Sequence, residues 1–151
     1  MADSSEIVFR NFRKTDLGRI LGFKKESAAI SFPGLDVNMD SFRSKLLKVL
    51  KTDRNSVKVA ETGGEIIGYV FFEVKEASTG PIGYINHVFV SEPYREQGIG
   101  TKLMEMAEDY LRSRGVRRAR LTVTRTNKPS LKLCSRMGYR EKRLILEKPL
   151  N

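Results

Sequence analysis

Residues 83–125 read as a strand, a glycine-containing turn, a long helix and a second strand, and that succession leaves few folds open. Gly83–Val90 has the apolar content of a strand and ends at Ser91-Glu92-Pro93. Gly98–Arg114 carries Ile99, Leu103, Met106, Ala107, Tyr110 and Leu111 as one apolar stripe, with Gly115 just past its end. Arg118–Arg125 alternates about Ala119, Leu121 and Val123. Two strands joined by a crossover helix lie parallel in one sheet, and the crossover is right-handed in nearly every case. The second half of the chain is therefore a β-α-β unit.

The first half supplies the rest of the sheet. Ile7–Phe12 reads as a strand, Asp16–Ile30 as a helix and Met39–Leu50 as a second helix, with Pro33 and Gly34 breaking the chain between them. Val57–Ala60 and Glu65–Val74 are strands joined by a tight turn at Thr62-Gly63-Gly64. Ser130–Met137 forms a short helix with Pro129 near its start, and Leu144–Leu146 supplies a last strand. The order β-α-α-β-β-β-α-β-α-β predicts an α/β fold with a sheet of mixed direction. No repeat or linker interrupts the 151 residues, so residues 1–151 form a single domain.

The net charge is +10, and its distribution matters more than its size. Residues 1–94 hold 13 Lys/Arg against 12 Asp/Glu, whereas residues 95–151 hold 15 against 6. The basic final third suits an anionic partner, either nucleic acid or a polyphosphate ligand, and equally suits a solvated face. One cysteine and one histidine exclude an internal disulfide and a closed Cys/His zinc site, so no metal is expected. No stretch approaches the ~20 apolar residues of a membrane span, and the N-terminus has no apolar signal core. A soluble cytoplasmic protein without membrane attachment is the expectation.

Arg95-Glu96-Gln97-Gly98-Ile99-Gly100 lies between the unit's first strand and its helix. Backbone N–H groups at a helix start lack intrahelical partners, and the helix dipole adds positive potential, so the turn suits an anion. Alone, this GxG is a weak signal; it is neither a GxGxxG fingerprint nor a P-loop. Its surroundings sharpen it. The run His87-Val88-Phe89-Val90-Ser91-Glu92-Pro93-Tyr94-Arg95-Glu96-Gln97-Gly98-Ile99-Gly100-Thr101-Lys102-Leu103 closely resembles the acetyl-CoA motif of the GNAT N-acetyltransferase superfamily. Asn127-x-x-Ser130-x-x-Leu133-Cys134-x-x-x-Gly138-Tyr139 is similar to that family's second motif, at the expected spacing.

The resemblance implies a GNAT-type mixed sheet with helices on both faces and splayed central strands. It implies acetyl-CoA as cosubstrate and a primary amine, on a protein, peptide or small molecule, as acceptor. Arg95, Glu96, Gln97, Gly98, Ile99 and Gly100 would hold the pyrophosphate, and backbone groups of Val88, Phe89 and Val90 the pantetheine arm. Asn127 would contact the pantetheine region, or simply cap its helix. Transfer requires a neutral amine, a stabilised oxyanion and a protonated leaving thiolate. Tyr84 falls where several family members carry the general base; a phenol is a poor base at neutral pH, so a water relay or a plain strand residue are both open readings. Cys134 stands where the family has the tyrosine that protonates the thiolate, and is either that acid or a buried packing residue. Strand parity groups Tyr84 with Asn86 and Val88 and sets His87 on the opposite face.

The arginines 112, 114, 117, 118 and 120 suit the 3′-phosphate of CoA or a solvated surface. The loop 31–38 with Asp36, and Asp40 beyond it, falls at the acceptor wall. The competing reading is a catalytically weak or inactive GNAT-like regulatory or nucleic-acid-binding domain. It is disfavoured because the basic third lacks interleaved aromatics and shows no helix-turn-helix. A homodimer is left open, and the acceptor is not legible.

Overall fold

The computed structural model describes residues 6–151. Five strands form one sheet in the order β1-β2-β3-β4-β5: β1 Val8–Asn11, β2 Val57–Thr62, β3 Glu65–Ala77, β4 Gly80–Val90 and β5 Ala119–Leu121. Neighbours are antiparallel from β1 to β4, while β4 and β5 run parallel, as a crossover connection requires. The helices are α1 Leu17–Ser31, α2 Met39–Thr52, α3 Ile99–Ser113 and α4 Lys128–Arg136. Among the described residues no helix is long and apolar enough to cross a membrane.

The sheet is covered on both faces, which is why β3 reads as a nearly continuous apolar run. On one face α3 presses Leu103, Met104, Ala107 and Leu111 onto Val70, Phe72 and Ile85. Met104 takes the core position, and Met106 is only half-buried. On the other face α1 and α2 bring Ile20, Phe23 and Leu46 against Tyr69, Phe71 and Phe89. The end of β1 and the start of α1 are fastened by Arg10, whose guanidinium donates to both oxygens of Asp16 (2.8 and 3.0 Å) and to Glu61 on β2.

Three expectations change. The parallel ladder joins only Gly83–Ile85 to Ala119–Leu121, so the strand read as 118–125 stops at Leu121. Leu144–Leu146 joins no ladder; the three side chains are 70%, 85% and 90% exposed and the segment is not a strand of this sheet. A β-strand needs a partner for its backbone, and this run has none within the described chain. The third change is one of face. Phe71 pairs with His87 and Phe72 with Ile85, which leaves Asn86 as an extra residue on β4. Such a bulge inverts the alternation across it. Tyr84, paired with Glu73, and His87, paired with Phe71, therefore serve the same α1/α2 face, while Val88 packs on the α3 side.

Candidate active site

The β4–β5 ladder ends at Ile85 and Leu121, and beyond it the two chains part. A cleft of about 180 Å³ opens in the gap. Its walls are Asn86, His87 and Val88 of β4, the segment 121–124, Asn127 and Cys134 of α4, and Lys24, Ser27 and Phe32 from α1 and its end. The splay and the bulge occur at one point. While Asn86 breaks the ladder, its side chain is held by polar partners: its amide donates to Glu73 (2.6 Å) and its carbonyl accepts from Lys45 of α2 (2.9 Å).

At the far end of β4, Ser91 N–H donates to Ile67 O, and the chain turns through Glu92–Tyr94 into the 95–100 loop. Glu96 (φ 62°) and Gly98 (φ 83°) both take left-handed backbone, which curls the loop ahead of α3. Lys102 N–H donates to Gly98 O, so the amides ahead of it precede the helical ladder of α3. Gly98 has open space around the position of a Cβ, whereas a Cβ on Gly100 would meet Leu133 Cδ2 at 3.0 Å. Of the two glycines expected to admit a phosphate, Gly100 is thus also needed for the approach of α4 to α3. The Arg95 guanidinium is tethered: Nε donates to Val90 O (2.8 Å) and the group lies over the Phe89 ring. Glu96 pairs with Lys132 of α4 (3.0 Å), whose hydrogen bond lowers its carboxyl pKa.

The expected site residues are partly gathered. Val88, Asn127 and Cys134 line the cleft. Asn127 is the N-cap of α4, accepting from Ser130 N–H at 3.4 Å, so its capping reading holds. Tyr84 stands beside the cleft and shares a 2.7 Å hydrogen bond with Thr122 Oγ1 on the wall, with Lys75 over its ring. The side chain of Phe89 does not face the cleft; it stacks on Phe23 within the α1/α2 core. Val90 packs under α3. Residues 95–100 sit apart at the helix start. The expected arginine cluster is dispersed: Arg112 pairs with Asp109, and Arg118 donates to Thr79. In the loop 31–38, Ser31 and Phe32 reach the cleft wall, while Asp36 is exposed.

Burial raises the Cys134 thiol pKa, keeping it protonated at neutral pH. His87 goes the other way. Burial, with Lys24 adding to it, lowers the imidazole to about 3. Its Nδ1 hydrogen-bonds the Tyr69 hydroxyl, and its Nε2 is buried without a partner. Strand alternation set His87 on the face opposite Tyr84, because nothing in the sequence marks the bulge. A proton that the folded chain refuses until about pH 3 is taken up by the unfolded chain near its ordinary value of 6.5. Stability therefore falls on acidification through that window, by up to ~1.4 kcal/mol per pH unit. Urea unfolding between pH ~4.5 and 6.5 should show a shallower slope in His87→Phe than in the parent. An unchanged slope would assign the acid sensitivity elsewhere. The substitution also leaves Tyr69 without its partner, a cost that is constant with pH and separates from the slope.

Among the described residues no group of three His, Cys, Asp or Glu side chains is placed to hold a metal ion. The sheet is mixed, carries helices on both faces, and its parallel pair parts beside a glycine-opened helix. Residues 25–139 match the model of the acetyltransferase (GNAT) family, and the chain belongs to that family. It is 39% identical over 84 residues to an uncharacterized N-acetyltransferase of Archaeoglobus fulgidus, which covers 52% of this chain and 56% of that protein. It is 25% identical over 149 residues to an N-alpha-acetyltransferase of Sulfurisphaera tokodaii, covering 93% of this chain and 84% of that one. The chain spans about half the length of several of the curated relatives it matches. An aminoglycoside N-acetyltransferase solved in complex with CoA shares the fold at a TM-score of 0.75, with 20% identity over 99% of this chain and 98% of that chain.

Proposed function

We propose that this chain transfers an acetyl group from acetyl-CoA to a primary amine by direct attack in a ternary complex. The observation that carries the reading is the alignment of two features along β4: the curled, amide-rich turn at 95–100 and the cleft where β5 leaves. An elongated ligand with a diphosphate at one end and an apolar thioester arm would use both. In this reading the amides of residues 96–100 take the pyrophosphate, and the β4 backbone freed by the splay takes the arm. CoA bound to a protein of the same fold supports the assignment.

The chemistry then needs little from the side chains. The acceptor enters between α1 and β4, loses a proton, and its nitrogen attacks the thioester carbon. A C–N bond forms, the C–S bond breaks, and CoA leaves as a thiolate that takes up a proton. The Tyr84–Thr122 pair is placed to order a water that receives protons from the amine. His87 is too weak a base for that task, and serves as a neutral wall. Cys134 is a buried packing residue in this reading, and the thiolate takes up from solvent the proton that the amine released there. Cys134→Ala should therefore hold turnover within a few-fold and cost about 1 kcal/mol in stability for the small cavity. A fall of ~10²-fold or more in a folded variant would restore the acid role.

The acceptor class is tested by measuring CoA release with small amines, polyamines, and peptides bearing a free α-amine or a lysine. Release with at least one class, dependent on acetyl-CoA, is expected. Absence of acetyl-CoA binding by calorimetry would remove the reading.

A further inference from the structure

The cleft where β5 leaves β4 carries a cation and no anion. Among the described residues that line it, Lys24 is the one charged side chain. No acidic group pairs with Lys24 among the described residues. Its ammonium lies over the Phe42 ring (5.2 Å), and burial together with repulsion from Lys45 lowers its pKa. Glu73, which reaches Asn86 from β3, is already matched by Lys45 at 3.4 Å. The acids expected at the acceptor wall stand elsewhere: Asp36 and Asp40 are exposed and do not line the cleft.

The polar groups around Lys24 are also unfilled. Lys24, Ser27 and Ser31 recur at intervals of three and four along α1, so they share the helix face turned to the cleft. Ser27 is 6% exposed, and its hydroxyl makes no hydrogen bond among the described residues. His87 lines the same cleft with its Nε2 unpartnered. Among the described residues the Tyr69 hydroxyl proton has no acceptor but His87 Nδ1, which assigns the imidazole proton to Nε2. An ammonium, a hydroxyl and an imidazole N–H thus stand in one cleft as donors without an acceptor. Groups of this kind favour an anion.

We propose that the acceptor is an amine that also carries a carboxylate, and that Lys24, with the Ser27 hydroxyl beside it, holds that carboxylate. The inference rests on the acetyltransferase reading and names the acceptor class for it. Lys24 and the freed β4 backbone lie on different walls of the cleft, so anchoring one end of the acceptor directs the amine across it. A polyamine, by contrast, would bring a second positive charge to Lys24 and meet no carboxylate, a repulsion that itself selects. Two sources share the favoured chemistry: a free amino acid, and a peptide whose first residue is acidic.

The test measures CoA release with glycine, β-alanine, γ-aminobutyrate and L-lysine, and with a peptide that begins with aspartate. Each is set beside its uncharged counterpart, the primary amide or the peptide that begins with asparagine, and L-lysine also beside cadaverine. In the parent, kcat/KM should favour the carboxylate by ~10-fold or more in at least one pair, and whether that pair is a free acid or a peptide identifies the source. Lys24→Met keeps a stem against Phe42 and should remove the preference, while Lys24→Arg should keep most of it. Comparing the same pair between parent and variant cancels the differing basicity of the amines. Equal or better turnover of the amides and cadaverine by the parent overturns the proposal and needs no variant. A preference that survives Lys24→Met overturns it too. So does release from none of the acceptors by a protein that binds acetyl-CoA, an outcome that leaves the cofactor assignment standing. Failure to bind acetyl-CoA removes that assignment, and this inference with it.

Discussion

Gly98→Val should abolish useful acetyl-CoA binding while leaving a folded protein. Gly98 sits at φ 83°, where a β-branched residue is strained by ~1–3 kcal/mol, yet a Cβ there would meet no other atom. The folded state therefore pays strain without a clash. The ligand loses more. A valine side chain would stand over the amides at the start of α3, and hydrogen bonds to charged groups contribute ~1.5–3 kcal/mol each. Loss of two such bonds weakens binding by ~10² to 10⁴-fold. Calorimetry with acetyl-CoA, set beside thermal melts without ligand, separates affinity from folding. Gly100→Ala is the contrasting case, because its Cβ meets Leu133 and stability should fall first. Parent-like affinity in Gly98→Val would move the diphosphate away from this turn.

The largest stability loss is expected at Arg10→Met. Asp16 is 4% exposed, and burial alone would raise its carboxyl pKa; the Arg10 guanidinium and the Arg13 N–H (2.7 Å) outweigh that and hold it below the ordinary value. Removing the guanidinium strands a buried carboxylate, at a cost of about 3–5 kcal/mol. Against a total stability of ~5–15 kcal/mol, the variant would be marginal at 37 °C. The sign with pH is fixed by the same carboxyl. In the parent its contribution is present above pH ~4 and lost as pH falls through the lowered folded value. In the variant Asp16 protonates more readily, so the deficit relative to the parent shrinks on acidification. Urea denaturation at two pH values checks this, and Arg10→Met with Asp16→Asn should recover part of the loss. An equal deficit at both pH values would mean that Arg10 acts through packing alone.

What could be read from the residues was the part that local chemistry determines. The 83–118 region declared itself because helix α3 has a broad apolar stripe ahead of Gly115, and because a glycine turn between strand and helix has few other uses. The end of β5 did not declare itself: Ala119, Leu121 and Val123 alternate as a strand would, but the ladder to β4 stops at Ile85, next to the bulge at Asn86. The bulge was equally silent. Asn86 is a polar residue whose neighbours do not break the local pattern, and its reason for being there, the Lys45 and Glu73 side chains, comes from distant parts of the chain. The Leu144–Leu146 run has the composition of a strand, but its own chain offers it no partner.

The extra residue at Asn86 also sets how the strand can change over time. On either side of it the two arms of β4 answer to different registers, so each can keep its own pattern of inward and outward residues. Deleting Asn86 would close the bulge and leave both arms in place, with His87 following Ile85 in plain alternation and Tyr84 and His87 still on the α1/α2 face. Insertions and deletions elsewhere in β4 would instead put one arm on the wrong face, whereas substitutions at position 86 that still bond to Glu73 and Lys45 leave both arms as they are. When relatives are aligned through this strand, a one-residue gap belongs here, and the face assigned to every residue before it depends on whether the gap is drawn.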